Sequence, residues 1–320
     1  MSAKVRPHTL QKRPPTGILR MRLPATSANL GPGFDAVAVA LDFFLEIEAR
    51  TAQEFSVTAT GRDADRCARI NDNLILETYK QLLRDHRRPI VPVAIRMRNE
   101  IPLGMGCGSS AAARLAGIAL ARHFGRLAWS TDRVLEEAYT LEGHADNVAA
   151  CWLGGFVTAA CQAGKVHVAR IDPPRKWRAI VAVPAEPLAT SKARAVLPKT
   201  YPMNDVVANL QSVAVLVLAF AEERPELLRY AMTDRIHQPY RERVCPLMPL
   251  LLPLVGKHGI AGEALSGAGP AMLVVVRHES YLTTASAAIR KAVKNRAVTE
   301  LVSCRFSRVG ACQSIEIKGL

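Results

Sequence analysis

The sequence lacks any apolar run long enough to cross a bilayer. Its longest, Val213 to Ala221 and the proline-broken stretch Val244 to Val255, fall short of the roughly 20 residues that a spanning helix needs. No membrane segment is therefore expected. The seven cysteines, scattered from Cys67 to Cys312, contain no C-x-x-C pair and are odd in number. That fits neither a disulfide framework nor a zinc site, and it points to a reducing cytoplasm. No internal repeat is apparent. Acidic residues are few beside basic ones: 28 Asp and Glu against 42 Lys and Arg, a formal charge of +14. Such a surface concentrates anions, but the sign alone leaves nucleotide and nucleic acid both open.

With 49% hydrophobic and 22% charged residues, the chain has ordinary globular usage. Disorder, collagen-like repeats and coiled coil are poor readings of the whole. At roughly 150 residues per domain, its 320 residues predict two domains. Lys4, Arg6, Lys12, Arg13, Arg20 and Arg22 fall in a segment with no acid and no apolar core of a signal peptide. Residues 1–16 are expected to form a basic, disordered tail. Two further basic clusters, Arg84, Arg87, Arg88, Arg96 with Arg98, and Arg290 to Arg308, read as solvated surface.

Strand-like content marks Leu19 to Leu23, Val37 to Ala49 and Val93 to Met97, while Leu74 to Leu83 repeats apolar residues at helical spacing. Helices are expected over Ser109 to Phe124 and Asp132 to Leu141, then a hairpin of Gly155 to Cys161 with Val166 to Ile171. Asp172-Pro173-Pro174 gives the clearest break and divides the chain into domains 17–172 and 173–320. Beyond it the pattern predicts strands at Ala179 to Val183 and Met272 to Val276. Helices are expected near Asp205 to Glu222, Glu226 to Met232 and Tyr281 to Lys294, with a proline-rich helical stretch to Val255 and closing strands. The fold class is α+β.

Four segments carry chemistry. In Pro102-Leu103-Gly104-Met105-Gly106-Cys107-Gly108-Ser109-Ser110-Ala111-Ala112, three alternate glycines precede two serines and a strong helix former. Glycines let the backbone approach an anion, and the first turn of a helix favours negative charge. A Walker A loop would carry a lysine that is missing here, and a Rossmann fingerprint would carry an acid near Phe124 that is also missing. A glycine turn with a serine N-cap is the plain alternative.

Pro24 to Asp35 packs Thr26, Ser27, Asn29 and Asp35 among glycines between two strands, a loop suited to a polar small molecule or to a set of Asx-turns. Glu142-Gly143-His144-Ala145-Asp146-Asn147 gathers two carboxylates, an imidazole and an amide, a density that suits a site holding Mg²⁺ or, taken singly, simple caps. Leu265-Ser266-Gly267-Ala268-Gly269-Pro270 reads alone as a tight turn.

In this order, these segments resemble the GHMP kinase superfamily, through P-x-x-S-A-N-L-G-P-G-F-D, P-L-G-x-G-x-G-S-S-A-A-A and S-G-A-G-P. Within it they are most similar to the homoserine kinases, through Glu142 to Ala149, Thr190 to Pro198 and Asp234 to Arg241. The likeness runs from about Leu19 to the C-terminus. It implies a two-domain GHMP kinase fold, the N-terminal half like ribosomal protein S5 domain 2 and the C-terminal half ferredoxin-like, with the site between. It also implies ATP and Mg²⁺, and phosphorylation of L-homoserine to O-phospho-L-homoserine on the way to threonine. Carried over by position, Pro102 to Ala112 fall on the ATP loop, and Ser110 with Glu142 on the Mg²⁺ site. Asn29, Asp35, His144, Asp146, Asn147, Thr190, Arg194 and Arg241 fall on the amino-acid pocket. Asp35 would orient the acceptor hydroxyl, and Arg194 and Arg241 would hold the carboxylate, for which planar guanidinium suits. Asp35, Ser110 and Glu142 are the catalytic candidates. Ala145 departs from the proline usual in the family.

Competing readings are a kinase of the same fold for another amino alcohol, a catalytically silent sensor, and a nucleic-acid binder. The last rests on charge alone and lacks a recognition motif. Expected partners are L-homoserine and Mg-ATP, with no specific nucleic acid and no membrane. Family members are often homodimers.

Overall fold

The computed structural model describes residues 17–294 and 298–318. The expected basic tail, 1–16, lies outside them. In chain order the strands are β1 (Ile18–Asn29), β2 (Gly33–Thr51), β3 (Ser56–Gly61), β4 (Val93–Asn99), β5 (Phe156–Gln162), β6 (Lys165–Ile171), β7 (Arg178–Pro184), β8 (Ile260–Leu265), β9 (Met272–Val276), β10 (Val298–Cys304) and β11 (Glu316–Lys318). The helices before β7 are α1 (Ala64–Cys67), α2 (Leu74–Asp85), α3 (Ser109–Phe124), α4 (Thr131–Glu142) and α5 (Asp146–Leu153). After it come α6 (Thr190–Ala195), α7 (Met203–Ala221), α8 (Leu228–Ala231), α9 (Gln238–Arg241), α10 (Met248–Leu251), α11 (Leu282–Ala292) and α12 (Ala311–Ser314).

Strands β11-β1-β2-β4-β3 form one sheet, with the β5–β6 hairpin attached to β2, and β10-β7-β9-β8 form a second. The expected division at 172/173 runs between the two sheets, but β11 pairs with β1, so the chain ends back in the first sheet. Apolar packing is continuous across them. Phe220 on α7 stacks on Phe156 of β5 at 4.3 Å and meets Trp177 and Phe306 edge-on.

Several expectations need correction. β1 does not end at Leu23: a register shift at Pro24/Ala25 accommodates the proline, which has no N–H to donate, and pairing with β2 resumes to Asn29. Thr26, Ser27 and Asn29 are thus buried strand residues, and only 30–32 form the turn. β3, β8, α5 and α6 went unforeseen. β8 was hidden because its fully buried run contains Gly262 and Glu263. The apolar run ending at Ala221 lies within a 19-residue helix, Met203–Ala221, long and apolar enough by composition to span a bilayer. It is tied into this fold instead by Phe220 and by Asn209, whose Nδ2 donates to Pro32 O at 2.7 Å.

On the outer face of the first sheet, Arg20, Arg22 and Arg98 pair with Glu48, Glu46 and Glu100 at 2.6, 3.1 and 2.8 Å. Exposed pairs of this kind contribute little, about 0–1 kcal/mol. They do show that this basic stretch is interleaved with acids.

Candidate active site

Six segments far apart in sequence meet in one cleft of about 480 Å³. Asn29 reaches it from the end of β1 and Asp35 from the start of β2, Gly104, Gly106 and Gly108 from the loop before α3, and Ser109 and Ser110 from the first turn of α3. Glu142, His144, Asp146 and Asn147 come from the α4–α5 junction, Thr190 and Arg194 from α6, and Arg241 from α9. Of the other expected loop residues, Pro102, Cys107, Ala111 and Ala112 are buried, and Met105 packs against the core. Burial pushes the Cys107 thiol up to about 12. Those residues shape the loop and do not face the cleft.

The glycine loop is fixed from behind. Gly108 is the N-cap of α3 at φ +72°, and no side chain caps the helix. The serine cap of the plain reading is therefore wrong: Ser109 and Ser110 stand inside the first turn, leaving its N–H groups for an anion. A Cβ on Gly108 would meet Thr26 Oγ1 at 1.9 Å, and one on Gly106 would meet Ser266 O at 2.1 Å. Here the S-G-A-G-P segment finds its use. Ser266 Oγ donates to Gly106 O at 2.8 Å, Asn29 Nδ2 donates to Gly267 O at 2.7 Å, and Gly267 and Ala268 line the cleft.

Gly143, at φ +81°, ends α4 with Glu142 as its last residue and so delivers an acidic corner. His144 Nδ1 donates to Asp146 Oδ1 at 3.0 Å, and its Nε2 lies 3.9 Å from Glu142 Oε2. The bond to Asp146 holds the imidazole pKa above its ordinary value, against burial and with help from Glu142 and Asp35. Asn147 Oδ1 accepts from Thr26 Oγ1 at 2.6 Å, linking the corner to the loop's backing strand. Glu142 Oε1 is buried with no hydrogen-bond partner; Arg114 Nε lies 3.3 Å away, near enough to pair but off hydrogen-bond geometry. A carboxylate oxygen with no hydrogen bond, in the same cleft as the Ser110 hydroxyl, suits Mg²⁺, which keeps waters and phosphate oxygens as its other ligands. Among the described residues no group of three or more His, Cys, Asp or Glu forms a fuller cage.

The two arginines differ. Arg194 gives both terminal nitrogens to Asp35, at 3.0 and 2.6 Å. Asp35 sits at φ +55°, with its N–H on Asn29 Oδ1 at 3.0 Å. Arg241 is 1% exposed and pairs with no carboxylate: Nε donates to Ala193 O at 3.1 Å, and Nη1 to His237 Nδ1 at 3.0 Å and Gly267 O at 3.3 Å. Its Nη2 has no protein partner among the described residues. Burial, then the Arg194 charge, lowers its pKa from the ordinary value.

A second cavity, of about 470 Å³, shares Gly104, Ser109 and Ser110 with the first, so the loop divides two compartments. Its walls include Leu45, Asn73, Ile75, Met97 and Ile101. The sequence did not reveal this cavity, nor the parts played by Arg114, Phe34 and His237. Of these, Phe34 and His237 lay in segments singled out for other residues.

Residues 73–155 match the family described as GHMP kinases N terminal domain. A homoserine kinase from Solibacter usitatus is 44% identical over 255 residues, covering 79% of this chain and 84% of that one. One from Carboxydothermus hydrogenoformans is 33% identical over 299 residues, 93% and 97% of the two chains. The crystal structure of homoserine kinase from Cytophaga hutchinsonii superposes with a TM-score of 0.79 over 97% of this chain and 100% of that one; at 24% identity the likeness is one of fold.

Proposed function

The chain belongs to the homoserine kinases of the GHMP kinase superfamily, and from that premise we propose how its two compartments divide the work. The activity is ATP-dependent phosphorylation of homoserine, a step of threonine biosynthesis. In our reading the nucleoside lies in the second cavity, the phosphates cross the glycine loop, and homoserine occupies the first cleft. The observation that carries the acceptor assignment is Arg241, a buried guanidinium whose partners are two carbonyls and an imidazole. Buried charges are ordinarily paired, and the missing partner is what an amino-acid carboxylate supplies.

Asp35, held by both nitrogens of Arg194, presents a carboxylate of fixed orientation to the acceptor hydroxyl. Arg194, expected on the carboxylate, is assigned instead to Asp35. Asn29 and Thr190 line the same cleft, and the His144–Asp146–Asn147 corner bounds it. Phosphoryl transfer through a loose transition state asks mainly for positioning and charge stabilisation. The α3 N–H groups supply that charge stabilisation at the phosphates. Ser110 and Glu142 would hold Mg²⁺, which when bound neutralises charge on the phosphate oxygens. Seven unpaired cysteines support a cytoplasmic setting.

The test is ADP release from Mg-ATP with L-homoserine, L-threonine, L-serine, mevalonate, galactose or no acceptor. Strong preference for homoserine, with phosphohomoserine seen by mass spectrometry, is expected. Turnover on another acceptor alone would move the protein to a sister activity.

A further inference from the structure

His237 lies outside the cleft lining, yet it is fully buried between two parts of the site. Its Nε2 is 2.7 Å from Gly31 O, in the turn between the strands that carry Asn29 and Asp35, and its Nδ1 is 3.0 Å from Arg241 Nη1. A carbonyl can only accept and a guanidinium can only donate. The ring must therefore carry its hydrogen on Nε2 and its lone pair on Nδ1. Phe34 stacks on the imidazole at 5.2 Å, and the Arg241 guanidinium sits 5.3 Å from the same phenyl ring. Asp234 accepts from the backbone N–H groups of Ile236, His237 and Gln238, which locks the start of α9. The charged groups facing the ring are Asp234, 3.5 Å from Nε2, Arg241 and, further off, Asp35.

We propose that His237 is a positioning residue: by accepting from Nη1 it turns the Arg241 guanidinium so that Nη2 is left to receive the acceptor's carboxylate. The inference rests on the reading of Arg241 given above. A guanidinium on a flexible stem has several rotamers, and Nη1 and Nε are here consumed by His237, Gly267 and Ala193. Of these three anchors His237 is the one supplied by a side chain, and it also joins the guanidinium to the turn before the strand that carries Asp35. Carboxylate and hydroxyl ends of one small substrate would thus be registered through a single imidazole. Burial keeps the ring neutral, with its pKa lowered to about 4, so the lone pair on Nδ1 persists at working pH.

Two substitutions separate this role from simple packing. Asn can place its amide oxygen near the Nδ1 position and keep an acceptor for Arg241, whereas Gln can keep the donor to Gly31 O but offers no acceptor there. His237→Gln is expected to raise the homoserine KM about 10- to 100-fold, His237→Asn several-fold less, both with the ATP KM and Tm nearly unchanged. On an Arg241→Met background, His237→Gln should add less than about twofold, because the group it positions is gone. Equal effects of Asn and Gln, a parallel rise in the ATP KM, or a full His237→Gln effect on top of Arg241→Met would overturn the proposal. If Arg241→Met alone leaves the homoserine KM unchanged, the reading of Arg241 fails and this inference with it. A large Arg241→Met effect beside a silent His237→Gln would overturn this inference alone.

Discussion

The two walls of the cleft are made differently. The wall we assign to the phosphates is main chain: glycines, a helix start with no side-chain cap, and carbonyls of Gly106 and Gly267 tied to Ser266 and Asn29. The wall we assign to the acceptor is side chain: Asp35, Arg194, His144, Asp146 and Arg241 come from four distant segments, with Asp35 paired to Arg194 and His144 to Asp146. A main-chain site tolerates little added volume but carries few chemical identities. A side-chain site is the reverse, since each group can be removed without changing the backbone.

The comparison breaks most severely at the glycine loop. Gly106→Ala forces a Cβ to within 2.1 Å of Ser266 O at a φ of +81°. We expect a loss of about 10²- to 10³-fold in kcat/KM for ATP, the size seen when one donor to a developing charge is lost. A loss confined to homoserine binding would mean that the walls are not separate. Next comes Arg241→Met, which should raise the homoserine KM on the order of 10²-fold while leaving the ATP KM alone. Asp35→Asn should lower kcat about 10-fold at saturating homoserine, because an amide holds the hydroxyl less well and leaves Arg194 without its ion pair. Full turnover would remove Asp35 from the reaction, and a pure KM effect would make it a binding residue.

Smaller effects sharpen the picture. On our reading Arg114, 3.3 Å from Glu142, would compete with a cation held there, so Arg114→Met should tighten Mn²⁺ binding, read by electron paramagnetic resonance without turnover, by about three- to tenfold. Weaker binding would show that Arg114 instead holds Glu142 in place. Outside both walls, the Glu263 carboxyl is buried with no hydrogen-bond partner among the described residues, and burial raises its pKa well above the ordinary value. The folded state therefore keeps a proton that the unfolded state gives up. Stability is fully present below the ordinary carboxylate pKa and falls as pH rises from there toward the raised value. Glu263→Met should be more stable than the parent at pH 8 by on the order of 1–3 kcal/mol, with the advantage shrinking toward pH 4 and kinetics unchanged. A pH-independent difference in denaturant melts would contradict this.

The same contrast explains what could be read from sequence. The phosphate wall is contiguous, so the alternation of glycines ahead of Ser109 and an alanine-rich helix was legible, down to the bounds of α3 at Ser109 and Phe124. The acceptor wall was legible residue by residue only through resemblance, since nothing in the spacing of Asp35, Arg194 and Arg241 says that they meet. Their division of roles was not legible at all. That Arg194 is spent on Asp35 while Arg241 lacks an acid depends on β1 continuing past Pro24 and on α6 and α9 meeting over Gly267. His237, Arg114 and the second cavity depend on tertiary approach alone.

The most direct test removes the substrate's carboxylate and its proposed anchor in turn. Rates with L-homoserine and with 3-aminopropan-1-ol, the same amino alcohol without the carboxylate, are measured on the parent enzyme and on Arg241→Met. The parent should prefer homoserine by about 10²-fold or more in kcat/KM, and Arg241→Met should lose most of that preference while its ATP KM holds. If Arg241→Met discriminates as strongly as the parent, the buried guanidinium is not the carboxylate anchor, and the assignment of the two walls is wrong.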